Sequence, residues 1–265
     1  MLVFYGVFAP AVELPGNLAV VKPSPYTHNI VAYWERPESD VRVYALGWSS
    51  IRDDMQAAYE ASKATQKKLG IDALLLPIDH LATRIYSQNR EAAILEYLTL
   101  SSYYYWGSYD IADQNSSTNV TKSVHYDNEL DSPAKVFTAA NHPYFMNHLL
   151  TGSPTEAFVR NFGPRLHHIA VAVADGEIDG VPHIDVVVQR LRDCGQKFLL
   201  DVIGSKEEGL KQIFSSASEY SSLIIEYVQR FGGFQGFFTK DNVAELTHAA
   251  GVEESLRALQ KEAQS

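Results

Sequence analysis

The chain has 265 residues, 46% of them hydrophobic, which is enough apolar material for one large domain or two smaller ones. Its formal net charge of −10 and its scattered Lys and Arg residues argue against nucleic acid as a partner. The single cysteine, Cys194, excludes an internal disulfide, and no stretch approaches the roughly 20 apolar residues of a membrane-spanning helix. We therefore expect a cytoplasmic protein that does not bind membranes.

The first 73 residues form a region of their own. Its apolar opening, residues 1–12, predicts a strand, because no basic residue precedes it as in a secretory signal. Two more strands are expected within residues 26–51, and residues 52–68 predict a helix that Gly70 ends. The region is either a degenerate copy of the modules that follow or a separate covering layer.

Residues 74–151 predict a first βαβββ module. It has a strand, a helix and three further strands, with the sequences ALLLPIDHLATRIY, NREAAILEYLTL, YYYWGSYDI, NVTKSVHY and AKVFTAA. The sequons at Asn115 and Asn119 fall between and within these strands, and we interpret them as marking an exposed polar loop.

The same order of elements returns in residues 165–265, after a connector at 152–164 that contains a short helix. The second module reads RLHHIAVAVA, HIDVVVQRLRDCG, QKFLLDVI, GLKQIFSS and SLIIEYVQR. A final helix is expected from Asn242 to Gln264, with a break at Gly251. The predicted fold class is α+β, with paired βαβββ modules.

One carboxylate lies inside an apolar strand, where its charge needs compensation. Glu226 stands in LIIEYVQR, and an ionised group in such surroundings is unfavourable unless a charge or a metal faces it. His80 and His168 each occur near the start of an apolar strand. Two histidines and one carboxylate on rigid strands make the facial triad of non-haem Fe(II) oxygenases. We therefore predict an Fe(II) site of His80, His168 and Glu226.

Four short motifs occur in the order and at the spacing of a known family. IDH, HHIAVAV, LKQIF and IIEYVQR resemble the catalytic half of the 4-hydroxyphenylpyruvate dioxygenases, in the vicinal oxygen chelate superfamily, over about residues 74–250. The resemblance implies two modules closing around one metal held by the same three residues. It also implies a 2-oxo acid and O2 as substrates, release of CO2, hydroxylation within the same molecule, and a homodimer.

The resemblance also assigns substrate contacts. It implies that Ser123, Asn141 and Gln212 hydrogen-bond the substrate, that Phe214 stacks on its ring, and that Asn242 lies on a lid helix. Ser123 and Asn141 can equally be turn or strand-end residues, and Phe214 an ordinary core residue. Neutral groups of this kind suit an uncharged polar substituent better than a second acid.

Several positions depart from the family pattern. His167 replaces a glutamine and is expected to face away from the metal, and Val243 follows Asn242 where the family has a phenylalanine. The stretch 153–158 replaces a glutamine-rich segment, and the N-terminal region is shorter than the family's noncatalytic half. The resembled chemistry needs no separate 2-oxoglutarate, and no Lys or Arg stands out as a clamp for its carboxylate. These changes spare the metal ligands and alter the pocket.

Three other functions remain open. An extradiol catechol dioxygenase uses the same triad but needs an acid/base group, for which the candidates are His125, His142, His148 and His183. An isomerase or lyase of the glyoxalase type usually has a fourth protein ligand, and the corresponding strand AKVFTAAN contains no acid. A noncatalytic small-molecule-binding protein of this fold would not require iron.

Overall fold

The computed structural model describes residues 12–14, 18–20, 22–34, 49–126, 132–143, 152–234 and 236–262. Its strands are β1 (Val12–Leu14), β2 (Leu18–Val20), β3 (Ala32–Trp34), β4 (Leu75–Arg84), β5 (Tyr103–Ile111), β6 (Ser116–Ser123), β7 (Ala134–Ala139), β8 (Arg165–Val173), β9 (Glu177–Ile178), β10 (Val181–Pro182), β11 (Ile203–Ser205), β12 (Leu210–Phe214) and β13 (Ile224–Arg230). Its helices are α1 (Ser49–Leu69), α2 (Arg90–Thr99), α3 (Pro154–Phe162), α4 (His183–Asp193) and α5 (Lys240–Glu262).

The centre of the fold is an eight-stranded sheet made of two equivalent halves. Its order is β11-β12-β13-β8-β4-β7-β6-β5. The central strands β4 and β8 are antiparallel, and each has a parallel neighbour from its own half, β7 beside β4 and β13 beside β8. The predicted βαβββ order is thus found twice, and the α+β fold is confirmed.

The strands carry apolar residues on both faces, so the outer face of the sheet must also be covered. One helix in each half provides this cover. In the first half, Ile94 of α2 packs with Ile85 and Phe137. In the second, Val187 of α4 packs with Ile213. The inner faces of the two halves enclose a site. The C-terminal helix α5 packs over this site.

The N-terminal region contributes a small antiparallel sheet, β1-β2-β3, and the helix α1. Helix α1 ends at Gly70, whose φ of 65° is open to glycine at little cost. Arg190 of α4 donates hydrogen bonds to the carbonyls of Leu69 and Gly70, at 3.0 and 2.8 Å, and so fixes this end of the helix. The predicted opening strand, except for Val12, lies outside the described residues, as do residues 35–48 of the segment in which two strands were expected.

Two predicted boundaries were wrong. Helix α5 runs without a break through Gly251. A Cβ at Gly251 would lie 2.8 Å from Cβ of Pro154, so this glycine allows α5 and α3 to approach closely. In the segment QKFLLDVI, only the last residue, Ile203, belongs to a strand, the short β11. Phe198 forms an isolated bridge with Ser215.

The two sequons do not lie in an exposed loop, contrary to the prediction. Asn119 is inside β6, is 6% exposed and donates to the carbonyl of Phe137 at 3.3 Å. Asn115 is 5% exposed, and its side-chain oxygen accepts from the backbone N–H of His142 at 3.0 Å. Within the part of the chain described, no helix is long and apolar enough to cross a membrane.

Candidate metal centre

Three side chains from three strands meet at the middle of the sheet. His80 lies on β4, His168 on β8 and Glu226 on β13, and all three are buried. Nε2 of His80 lies 3.0 Å from Oε2 of Glu226 and 3.2 Å from Nε2 of His168. Nε2 of His168 lies 3.3 Å from the same oxygen of Glu226. Within the described ranges, this is the one group of three or more His, Cys, Asp or Glu side chains that could share a metal ion.

The separations fit the geometry of a metal site. Metal–ligand bonds of about 2.1 Å place two adjacent ligand atoms roughly 3 Å apart, whereas ligands on opposite sides of an ion lie about 4 Å apart. The three candidate ligand atoms are 3.0 to 3.3 Å apart, which matches the spacing of three ligands on one face of a single ion. The second oxygen of Glu226, Oε1, is buried and has no hydrogen-bond partner, as expected of an atom beside a cation's open side.

An acid and a cation support the first histidine. Oδ1 of Asp79 lies 2.7 Å from Nδ1 of His80. Arg230 in turn holds both oxygens of Asp79, at 2.9 and 3.1 Å. Burial tends to raise the pKa of Asp79, but Arg230 and His80 hold the pKa of that carboxyl well below its usual range. Such a carboxylate fixes the ring orientation of a ligating histidine and makes it a stronger ligand.

A second histidine supports His168 in the same way. Nδ1 of His167 lies 2.8 Å from Nδ1 of His168, and His167 is 1% exposed. If Nε2 of His168 binds a metal, the proton of the neutral ring would be on Nδ1, where it would be donated to Nδ1 of His167. The prediction that His167 faces away from the metal is therefore wrong.

The reason is a matching irregularity in the two central strands. The pairing of β4 with β8 shifts by one residue at Asp79, which is the extra residue on β4. It shifts again at His167, which is the extra residue on β8. A bulge re-aims one side chain that would otherwise point to the opposite face. In each strand the residue just before the ligating histidine thereby turns toward that histidine's ring.

The electrostatics of the group favour a bound cation. Burial lowers the pKa of His80, but Glu226 and Asp79 outweigh it and raise that pKa to about 9. Burial raises the pKa of Glu226, and His80 partly offsets this. Burial, followed by the charges of His167 and His80, holds the pKa of His168 well below its usual value, and a neutral imidazole is the form that binds metal. A divalent cation would take the place of the proton on His80.

A narrow cavity is lined by His168 and Glu226, with about 40 Å³ open to the centres of water molecules. Its apolar wall includes Phe214 on one side and Phe238, Val243 and Leu246 on the other. Phe238 lies 5.2 Å from the ring centre of His80, so it supplies an aromatic wall although Val243 stands where the resembled family has a phenylalanine. The segment before α5 and α5 itself thus form one wall of the site.

The structure brings some of the predicted substrate residues to this cavity. Gln212 is fully buried, lines the cavity, and neither of its amide atoms has a hydrogen-bond partner. Phe214 also lines it, with its ring centre 4.8 Å from that of His168. Both positions are compatible with the contacts that the resemblance implies.

The other predicted residues lie elsewhere. Ser123 is at the end of β6, where its hydroxyl accepts from the backbone of His125 at 3.2 Å. Asn141 donates to Asp110 at 2.5 Å and lines a groove on the outer face of the first half. Asn242 lies on α5, but its amide nitrogen points to Gly204, and it is not among the described residues that line the cavity. Register places other polar residues of β6 and β7 inside.

Those residues, and one cation, escaped the sequence reasoning. Thr118 on β6 and Thr138 on β7 are paired neighbours that line the cavity. Arg84 lines it as well, four residues after His80 on β4. Alternation along β4 could have found Arg84, because every second residue from His80 faces the same side of the sheet. Asp79 and Arg230 were within the quoted motifs IDH and IIEYVQR, but their roles were not recognised.

The position of a fourth protein ligand can be located from the symmetry of the two halves. Glu226 on β13 pairs with the residue two places after His168 on β8. In the first half, the residue two places after His80 on β4 pairs with Val136 on β7. Val136 is 1% exposed and lines the cavity. An apolar side chain therefore stands where the symmetry would place a fourth ligand.

Neither a protein-family profile nor a curated protein matches this chain. Among solved structures, it is similar to a triple mutant of 4-hydroxymandelate synthase from Streptomyces coelicolor, with a TM-score of 0.53 and 20% identity over 68% of this chain. The match covers 55% of the synthase chain, so this chain spans about half of that protein's length. A methylmalonyl-CoA epimerase variant from Streptomyces coelicolor gives a TM-score of 0.44 and 17% identity, over 59% of this chain and 98% of the epimerase. The fold is the vicinal oxygen chelate fold of paired βαβββ modules.

Proposed function

We propose that the protein is a non-haem Fe(II) dioxygenase that acts on a 2-oxo acid, by oxidative decarboxylation with hydroxylation. The observation that carries the proposal is the ligand face itself. His80, His168 and Glu226 offer three adjacent ligand atoms, and Val136 leaves the symmetry-related fourth position without a donor. An ion held in this way keeps several positions open for substrate and O2.

The chain's own groups supply the rest of the proposed reaction. Bound Fe(II) would provide a site where the carboxylate and keto oxygens of a 2-oxo acid and O2 come together. Asp79 and His167 hold the two ligating imidazoles in orientation. The unpartnered amide of Gln212 is available to hydrogen-bond a polar group of the substrate, and Phe214 to pack on its side.

The narrow cavity bears on how a substrate would enter. Only about 40 Å³ is open to the centres of water molecules, which suits a few waters, so a 2-oxo acid needs the cavity to widen. The part of the wall that would move is Phe238 with the start of α5, because the opposite wall is formed by strands of the central sheet. In the proposal, α5 moves aside for the substrate and then excludes water from the reacting groups.

One structural neighbour supports the reaction class by its name. The 4-hydroxymandelate synthase forms an aromatic 2-hydroxy acid, which is the kind of product that decarboxylation and hydroxylation of an aromatic 2-oxo acid would give. We extend the proposal to a homodimer in the cytoplasm, with a small molecule and O2 as its reaction partners.

The test is anaerobic binding of Fe(II), followed by addition of 4-hydroxyphenylpyruvate. We expect about one Fe(II) per chain and a visible charge-transfer band that Glu226→Ala abolishes together with the iron. Exposure to O2 should then release one CO2 per substrate consumed. Iron binding with a band for a catechol, and for no 2-oxo acid, would favour the extradiol alternative. A folded protein that never takes up iron would favour the noncatalytic binding protein.

The extradiol alternative lacks its extra acid/base group among the candidates from sequence. His125, His142 and His183 do not line the cavity in the part of the chain described, and His148 lies outside the described residues. His183 instead opens α4, with its Nδ1 2.9 Å from the carbonyl of Ala174. His167 is a histidine inside the cavity, but it is engaged with His168.

A further inference from the structure

The cavity beside the metal ligands contains a buried cation that metal binding does not require. Arg84 is on the inner face of β4, is 3% exposed, and has its guanidinium carbon 4.9 Å from the ring centre of Phe158. It lines the same cavity as His168, Glu226 and Gln212. A buried guanidinium at a ligand site is a strong recognition group for a carboxylate, because its planar fork binds both oxygens in a low dielectric.

Hydroxyl groups surround this arginine. Thr138 pairs directly with Arg84 across β4 and β7, and Thr118 pairs with Thr138 across β7 and β6. The hydroxyl of Thr138 is buried and has no hydrogen-bond partner. Thr155 of α3 also lines this end of the cavity. The buried Thr138 hydroxyl is unfavourable without a partner unless a ligand completes it, and a carboxylate accepts from both hydroxyl and guanidinium groups.

The distance from the metal ligands sets the length of such a ligand. Four residues of extended strand separate the Cα atoms of His80 and Arg84 by about 13 Å. Arg84 lines the cavity together with His168 and Glu226, the ligand-group members that reach it. A ligand of up to on the order of 10 Å would therefore join the ligand group to the guanidinium. A chain of a few carbon atoms with an acid group at each end can span this gap.

Building on the proposed function, we propose that the substrate is a 2-oxo acid with a second carboxylate, which Arg84 binds together with the hydroxyls of Thr118 and Thr138. The 2-oxo end lies at the three metal ligands and the second acid at the far end of the cavity. The structure thus points to a diacid, whereas the neutral residues singled out from sequence had suggested an uncharged substituent.

The test compares two acids of equal chain length, 2-oxoadipate and 2-oxohexanoate, which differ in the terminal carboxylate. Each is titrated anaerobically into the Fe(II)-loaded protein, with calorimetry and the visible band as readouts. We expect the wild type to bind 2-oxoadipate at least tenfold more tightly. In Arg84→Met the preference should fall to less than twofold, with 2-oxohexanoate binding unchanged within twofold.

Arg165→Met is the matched control. Arg165 pairs with Arg84 across the two central strands, so its replacement removes the same charge from the same place in the sheet. Its guanidinium, however, donates to the carbonyl of Ser221 and does not line the cavity as described. The preference for the diacid should therefore survive in this variant. If Arg84→Met does not fold, Arg84→Gln is measured in the same way.

The outcomes separate this inference from the proposed function. Equal binding of the two acids by the wild type, or an unchanged preference in the Arg84 variant, would overturn the role of Arg84 and leave the Fe(II) proposal intact. If iron binds but neither these acids nor 4-hydroxyphenylpyruvate gives a band or a heat of binding, the proposed function falls, and the diacid inference with it.

Discussion

A lysine buried on the outer face of the sheet gives the most direct test of the packing. Lys135 on β7 is 6% exposed, and its ammonium contacts the hydroxyl of Thr83 and lies 5.3 Å from the ring centre of Phe137. Among the described residues, no acid pairs with it. Burial lowers the pKa of Lys135 from 10.5 to about 7. We expect Lys135→Met to stabilise the protein, because methionine fills similar space without a charge.

The expected gain in stability follows from the lowered pKa of Lys135. A fall of the pKa from 10.5 to about 7 corresponds to at most roughly 5 kcal/mol of destabilisation when the lysine is charged in both states. Water penetration and local relaxation reduce this figure, so we expect a gain of about 2 to 4 kcal/mol at pH 7. The exposed Lys206 gives the control, since Lys206→Met should change stability by less than about 0.5 kcal/mol.

The effect of Lys135 on stability depends on pH in a direction that its lowered pKa determines. Between pH 7 and about 10.5 the unfolded chain keeps the proton on Lys135 and the folded chain does not, so this group makes stability rise with pH across that window. The advantage of Lys135→Met should therefore be largest at or below pH 7 and should shrink toward pH 9.5. Urea unfolding of both proteins at several pH values measures it. A variant that is less stable at pH 7, or an advantage independent of pH, would refute the reasoning.

Three further predictions concern the metal group and the backbone. Glu226→Gln should abolish high-affinity Fe(II) binding, because an amide replaces the anionic ligand; calorimetry measures it, and retained iron affinity would contradict the ligand assignment. Asp79→Asn should weaken Fe(II) binding about 10- to 100-fold, since it replaces the carboxylate that orients the ring of His80. An unchanged affinity would contradict this role of Asp79. Gly204→Ala should destabilise by at least about 2 kcal/mol more than Gly195→Ala. Both glycines have positive φ, but only at Gly204 would a Cβ meet backbone, at 2.1 Å, so equal losses would contradict the described turn.

The sequence indicated the repeat and the three candidate metal ligands because both follow from local sequence patterns. Alternation of strands and helices shows the two βαβββ passes, and each pass forms one half of the sheet. A carboxylate such as Glu226 within an apolar strand needs compensation wherever its strand lies. The structure brings it to His80 and His168.

The tertiary structure decided which other residues reach that site. Asp79 and His167 turn toward the histidines through one-residue shifts between β4 and β8, and such shifts depend on how two distant strands pair. The same dependence on register places Thr138 in the cavity and Ser123 outside it. Local sequence patterns therefore indicated the three candidate ligands. The residues that support them and the shape of the pocket arise from contacts between strands far apart in the chain, which no local pattern encodes.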